Sequence, residues 1–159
     1  MGDYLRKREE REERHSAFAV WGAEGEHSRF ALPLWRTAYL AKGGRAAVAW
    51  QAEGDETLRA MVGLDLRSDP PRTDLDPGLA EPLRDVDEPP ALRPLGDHGM
   101  AVFLGERDGR RWYLVVTDLE ESAESLGGRA RDDIYFLAGE CAGLLFHRDL
   151  HRRADKPPP

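Results

Sequence analysis

His98-Gly99-Met100-Ala101-Val102-Phe103-Leu104-Gly105-Glu106-Arg107-Asp108-Gly109-Arg110-Arg111-Trp112-Tyr113-Leu114-Val115-Val116-Thr117-Asp118 reads as two antiparallel strands around a tight turn. Met100 to Leu104 and Trp112 to Val116 are near-continuous apolar runs, rich in β-branched and aromatic residues. Asp108-Gly109 suits a two-residue type I′ turn, which needs positive φ at both central positions. Runs this apolar imply central strands covered on at least one face. The cover must come from elsewhere in the chain.

Working outward, Arg45 to Gln51 and Thr57 to Leu64 read as a second hairpin, turning at Glu53-Gly54-Asp55-Glu56. Before it, Phe30, Ala31, Leu34, Trp35, Ala38 and Tyr39 recur at helical spacing. Ser28 is the candidate N-cap, Pro33 suits a first turn near Leu32, and Gly43 supplies the stop. After the central hairpin, Arg131 to Arg153 forms the clearest helix. Its stripe is Ile134, Leu137, Ala138, Cys141, Leu144, Leu145 and Leu150. Asp132 and Asp133 at its start and Arg148, Arg152 and Arg153 at its end match the helix macrodipole.

Residues 65–97 differ in kind. They carry prolines at 70, 71, 77, 82, 89, 90 and 94 among many aspartates. The larger apolar residues are Leu66, Leu75, Leu79, Leu83, Val86, Leu92 and Leu95. A connection this long in a compact domain is typically a lid, a binding loop or disordered. Gly78 to Asp85 contains Pro82, so any helix there is a turn or two. At the N-terminus, Tyr4 to Arg14 mixes both charges with strong helix formers and is polar nearly all round. Ser16 to Trp21 is more apolar and fits either a continuation of that helix or a short edge strand.

These segments divide the chain into a charged arm and connector over 1–27, one domain over 28–153 and a disordered tail over 154–159. With 159 residues the chain can bury a proper core. The net charge of −7 weighs against nucleic acid and anionic membranes as partners. Cys141 is the single cysteine, so no intrachain disulfide forms, and a cytoplasmic setting is the simple reading. No apolar run approaches the roughly 20 residues needed to span a bilayer, and the charged start is not that of a secretory signal.

The order helix, hairpin, long lid, hairpin, terminal helix resembles the GAF domain. Gly44-Arg45-Ala46-Ala47-Val48-Ala49-Trp50 looks like the family's first strand. Leu95 to Leu104 and Trp112 to Val116 look like its late hairpin. Asp132-Asp133-Ile134-Tyr135-Phe136-Leu137-Ala138-Gly139-Glu140-Cys141-Ala142 looks like its closing helix. The similarity covers residues 28–150 and carries no signature motif. It implies an α/β (α+β) fold: a twisted antiparallel sheet, flanking N- and C-terminal helices on one side that often pack against a second copy, and a pocket under the lid on the other. A roadblock- or PAS-like sandwich shares the sheet and helices but not this lid position.

The chemistries that the resemblance raises meet few matching residues. Methionine sulfoxide reductases of this fold use several cysteines, and bilin attachment needs a suitably placed one. Cys141 lies on a helix stripe and reads as core. The Asn-Lys-Phe-Asp-Glu motif of cyclic-nucleotide binders is absent. His98, ahead of His27, is the candidate for haem or ligand contact, set against a plain solvated histidine. Trp50 and Trp112 lie on strands and are candidates to line a pocket on the sheet face. His147-Arg148-Asp149-Leu150 repeats letters of a kinase catalytic loop without the rest of that set. The carboxylates of 65–97 have no metal-ligand spacing.

Three functions follow as expectations. The first is a GAF-like sensory or regulatory module in signal transduction, dimeric through its helices, that binds a small molecule or a protein partner. The second is a non-catalytic interaction or assembly protein of the same fold with a filled pocket. The third is an enzyme, for which no nucleophile–base pair or metal cluster can be named. The cofactor is left open by the sequence.

Overall fold

A computed structural model describes residues 19–55, 57–75, 77–79, 83 and 92–146. The charged arm, the sequence at 147–150, the tail and much of 76–91 lie outside the described residues. Strands β1 (Val20–Trp21), β2 (Gly43–Ala52), β3 (Arg59–Asp65), β4 (Leu92–Pro94), β5 (Met100–Arg107) and β6 (Arg110–Leu119) form a single sheet. Its order is β1-β3-β2-β6-β5-β4, and every pairing is antiparallel. Helices α1 (Ala31–Ala41) and α2 (Gly128–Phe146) pack side by side on one face. The chain is therefore mixed α+β.

The quoted stretch forms β5 and β6, with Asp108 at φ 53° and Gly109 at φ 73°, as a type I′ turn requires. The period of two sorts their side chains. Met100, Val102, Leu104, Leu114 and Val116 face the helices, while Ala101, Phe103, Tyr113 and Val115 face away. A bulge at Leu104 breaks the pairing between Phe103 and Gly105. At Gly105, φ is 143°, and a Cβ would lie 2.9 Å from the Phe146 ring. A glycine lets the end of α2 close onto the strand there.

Two details of α1 differ from expectation. Ser28 does not cap it, because Gly25–Phe30 forms a 3-10 turn that runs straight into Ala31. The stop is Lys42, not Gly43. Lys42 takes the left-handed conformation, and its N–H bonds the carbonyls of Ala38 and Tyr39. Gly43 already belongs to β2, where a Cβ would meet Val116 Cγ1 at 2.4 Å. Likewise α2 begins at Gly128, which puts Asp132 and Asp133 in its second turn, where the dipole effect has faded. The open choice at Ser16 to Trp21 resolves, for Val20 and Trp21, as an edge strand on β3. The Trp21 indole fills the space beside Gly63, where a Cβ would clash at 2.4 Å.

The helix-side core joins Phe30, Leu34, Trp35 and Ala38 to Ile134, Ala138 and Cys141 over Val48, Val62, Leu64, Val102, Leu114 and Val116. Among the described residues, no helix is long and apolar enough to cross a membrane.

Candidate functional site

The face of the sheet away from the helices is where the family resemblance implies a pocket. Ala49, Ala101, Phe103, Tyr113 and Val115 form its floor. Leu75, Leu79, Leu83 and Leu95, from the Pro/Asp-rich segment, pack onto that floor together with Leu58. Leu83 and Tyr113 are wholly buried, and the Tyr113 hydroxyl donates to the Leu83 carbonyl at 2.9 Å. The phenol is satisfied by the cover itself. Each leucine removed from water is worth about 2 kcal/mol.

The sheet also holds the start of this cover by charge. Asp65, 1% exposed at the end of β3, accepts backbone N–H groups of Arg67 (3.0 Å), Ser68 (3.1 Å) and Arg72 (2.9 Å). Arg45, buried opposite it on β2, donates to the carbonyls of Arg72 at 3.0 Å and Asp74 at 2.5 Å. The two side chains lie 3.8 Å apart. Arg72 reaches Asp118 at 3.6 Å. Burial opposes ionisation of Asp65, but the three N–H groups and the Arg45 guanidinium outweigh it. Its carboxyl is held below the ordinary carboxylate value.

Trp50 and Trp112 are cross-strand partners on β2 and β6, with ring centroids 6.3 Å apart. Their parity matches Val48 and Leu114, so they stand on the helix side, past the end of α2. The Arg110 guanidinium lies 4.0 Å over the Trp50 ring. Beside them Arg107, Asp108, Arg110, Trp112, Leu145 and Phe146 line a cleft of about 440 Å³.

His98 is elsewhere. It is exposed at the opposite end of the hairpin, with Nδ1 3.2 Å from the Leu119 carbonyl, and its own carbonyl accepts the Leu119 N–H. Roughly 20 Å of strand separates it from Trp112. The structure thus brings together two of the three residues proposed from sequence. Cys141 is buried in the helix core, where burial and the neighbouring Glu140 push the thiol up to about 12. A thiol this protonated is a poor nucleophile. Among the described residues, no group of three or more His, Cys, Asp or Glu side chains converges as a metal would need.

A third surface lies on the helix layer, where the sequence led us to expect a second copy to pack. Leu32, Trp35, Arg36 and Tyr39 share one stripe of α1, beside Asp133, Phe136 and Leu137 of α2. Trp35 and Tyr39 stack at 5.7 Å with an interplanar angle of 13°. Most of these residues line a groove of about 300 Å³. Two of its lining rings are open, Phe136 at 69% and Tyr39 at 58% exposed, and Leu32 on the same stripe of α1 is 42% exposed. The signal for Phe136 was present in the sequence. It falls outside the apolar stripe of α2, so an aromatic ring there has no core to enter. Comparison with known proteins gives no match: no family model, no curated protein and no solved structure matches the chain.

Proposed function

We propose that this chain is a non-catalytic regulatory or assembly module that acts through protein contact, on a GAF-like scaffold, with its sheet pocket filled by its own lid. One observation carries the reading: Leu75, Leu79, Leu83 and Leu95 occupy the face where a ligand would lie, and Tyr113 spends its hydroxyl on Leu83. The GAF-like expectation is supported by the antiparallel sheet, by both helices on one face and by the long segment on the other. The cytoplasmic setting rests on the single cysteine. A homodimer through the helices is the assembly that this reading carries.

Native mass spectrometry of gently purified protein tests it. The expected result is a mass equal to the chain or a whole multiple of it. A stoichiometric excess that denaturation releases overturns the filled-pocket reading.

A small-molecule reading retains one support. Trp50, Trp112 and Arg110 offer stacking surfaces and a cation beside an open cleft. A ligand held there would quench tryptophan fluorescence in wild type and less in Trp112→Phe.

A further inference from the structure

The cations around Trp50 and Trp112 are not alike. Arg59 pairs with Asp55 at 3.8 Å, and Arg107 pairs with Asp108 at 3.5 Å. Arg110 has no carboxylate partner among the described residues. Its guanidinium lies against the Trp50 ring, 4.0 Å from the centroid. Stacking on a ring holds a guanidinium in place and leaves its N–H groups for a planar acceptor. An arginine held in this way is pre-organised for two parallel hydrogen bonds to a carboxylate.

The rest of the cleft sets what that carboxylate is attached to. Trp112, Leu145 and Phe146 line it, each half-buried, so each keeps part of an apolar face open. Trp50 already carries Arg110, which leaves Trp112 as the stacking surface. The volume of about 440 Å³ lies within the range of small-molecule sites. Charge sets the number of negative groups. Arg107 and Asp108 offset each other on the rim, so the lining is positive by one, through Arg110. A phosphate monoester, with close to two charges, would leave one unmatched beside Asp108. The cleft also lies on the helix side of the sheet, whereas the family resemblance implies a pocket under the lid on the other face.

We infer that this cleft binds a small aromatic monocarboxylic acid, with its ring system on Trp112 and its carboxylate on Arg110. The inference rests on the small-molecule reading above and deepens it by naming the class of ligand.

The test is equilibrium dialysis of the full chain against naphthoate, its neutral analogue naphthamide and naphthyl phosphate. The proteins are wild type, Arg110→Gln, Arg59→Gln and Trp112→Leu. Wild type should take one naphthoate per chain with a Kd below about 1 mM, and naphthamide roughly tenfold more weakly. Naphthyl phosphate should bind no more tightly than naphthoate. Arg110→Gln should lose about tenfold for the acid and little for the amide, so that the two probes bind alike. A variant that failed to fold would lose the amide as well. Arg59→Gln, whose guanidinium is already paired, should change naphthoate affinity by less than about twofold. Trp112→Leu should weaken acid and amide by the same factor. Equal binding of acid and amide by wild type overturns the acid assignment and leaves the small-molecule reading standing. So does acid binding that survives Arg110→Gln, or tighter binding of the phosphate. A wild type that binds none of the probes up to their solubility limits overturns both.

Discussion

The helix layer and the lid layer cover opposite faces of one sheet by different means. Helices α1 and α2 satisfy their backbone groups within themselves and cover the sheet mainly with apolar side chains, while the buried Thr37 hydroxyl donates to the Pro33 carbonyl of its own helix. The lid has little regular structure among its described residues, so its backbone groups need partners from elsewhere. The sheet supplies them from side chains: Asp65 for three N–H groups, Arg45 for two carbonyls and Tyr113 for a third. The lid layer therefore hangs on a few polar atoms, while the helix layer spreads its stability over many contacts. Single substitutions should discriminate between the two.

The largest effect is expected at Asp65→Ala. It leaves the Arg45 charge buried beside unpaired lid N–H groups and should cost about 4 kcal/mol in urea denaturation. Limited proteolysis should then cut first within 66–75. A loss under 1 kcal/mol would show that the anchor is incidental. Leu83→Ala follows, at about 3 kcal/mol, because a wholly buried leucine is lost from the lid-side core. A negligible loss would mean that the lid rests only loosely on the sheet.

Acid sharpens the comparison. Asp65 has a lowered pKa in the folded chain, so its contribution is complete above the unfolded carboxyl value of about 3.9. It is lost as the pH falls through the lower folded value. Urea midpoints measured down that range should fall more steeply for wild type than for Asp65→Asn. Parallel curves would remove Asp65 from the account. On the helix side, Ile134→Val should cost only about 1 kcal/mol, since the surrounding side chains can close on one lost methylene. The smallest change is expected at Phe136→Ser, within about 0.5 kcal/mol for the monomer, because that ring is mostly in solvent.

The central hairpin was legible because continuous apolar runs, β-branching and Asp108-Gly109 all agreed, and the helices because their stripes were long. Strand β4 was missed. It has three residues, and Pro94 is tolerated only at an edge, which is where it lies. The lid leucines could be counted in the sequence but not placed, since nothing periodic ties them to a face. Arg45 and Asp65 stand at the ends of apolar runs, where nothing in the sequence marks them for burial. Only tertiary pairing buries them. Trp50 and Trp112 were expected to line a pocket on the sheet face; they stand on strands on the helix side, which follows from counting by twos from Val48 and Leu114. The pairing of β2 with β6 brings them together, and no local pattern announces it.

That pairing has a kinetic consequence. Gly43 sits beside Leu119, 76 positions later in the chain, and the two strands run together along their whole length. The β5–β6 hairpin closes over a two-residue turn and can form within microseconds. The seam at the middle of the sheet must wait until a far larger loop has closed. Loop-closure entropy grows only with the logarithm of length, so doubling the connection would add about 0.6 kcal/mol. Refolding of this chain should therefore be limited by the meeting of β2 with a preformed hairpin, and its rate should be nearly blind to how many residues the intervening segment contains.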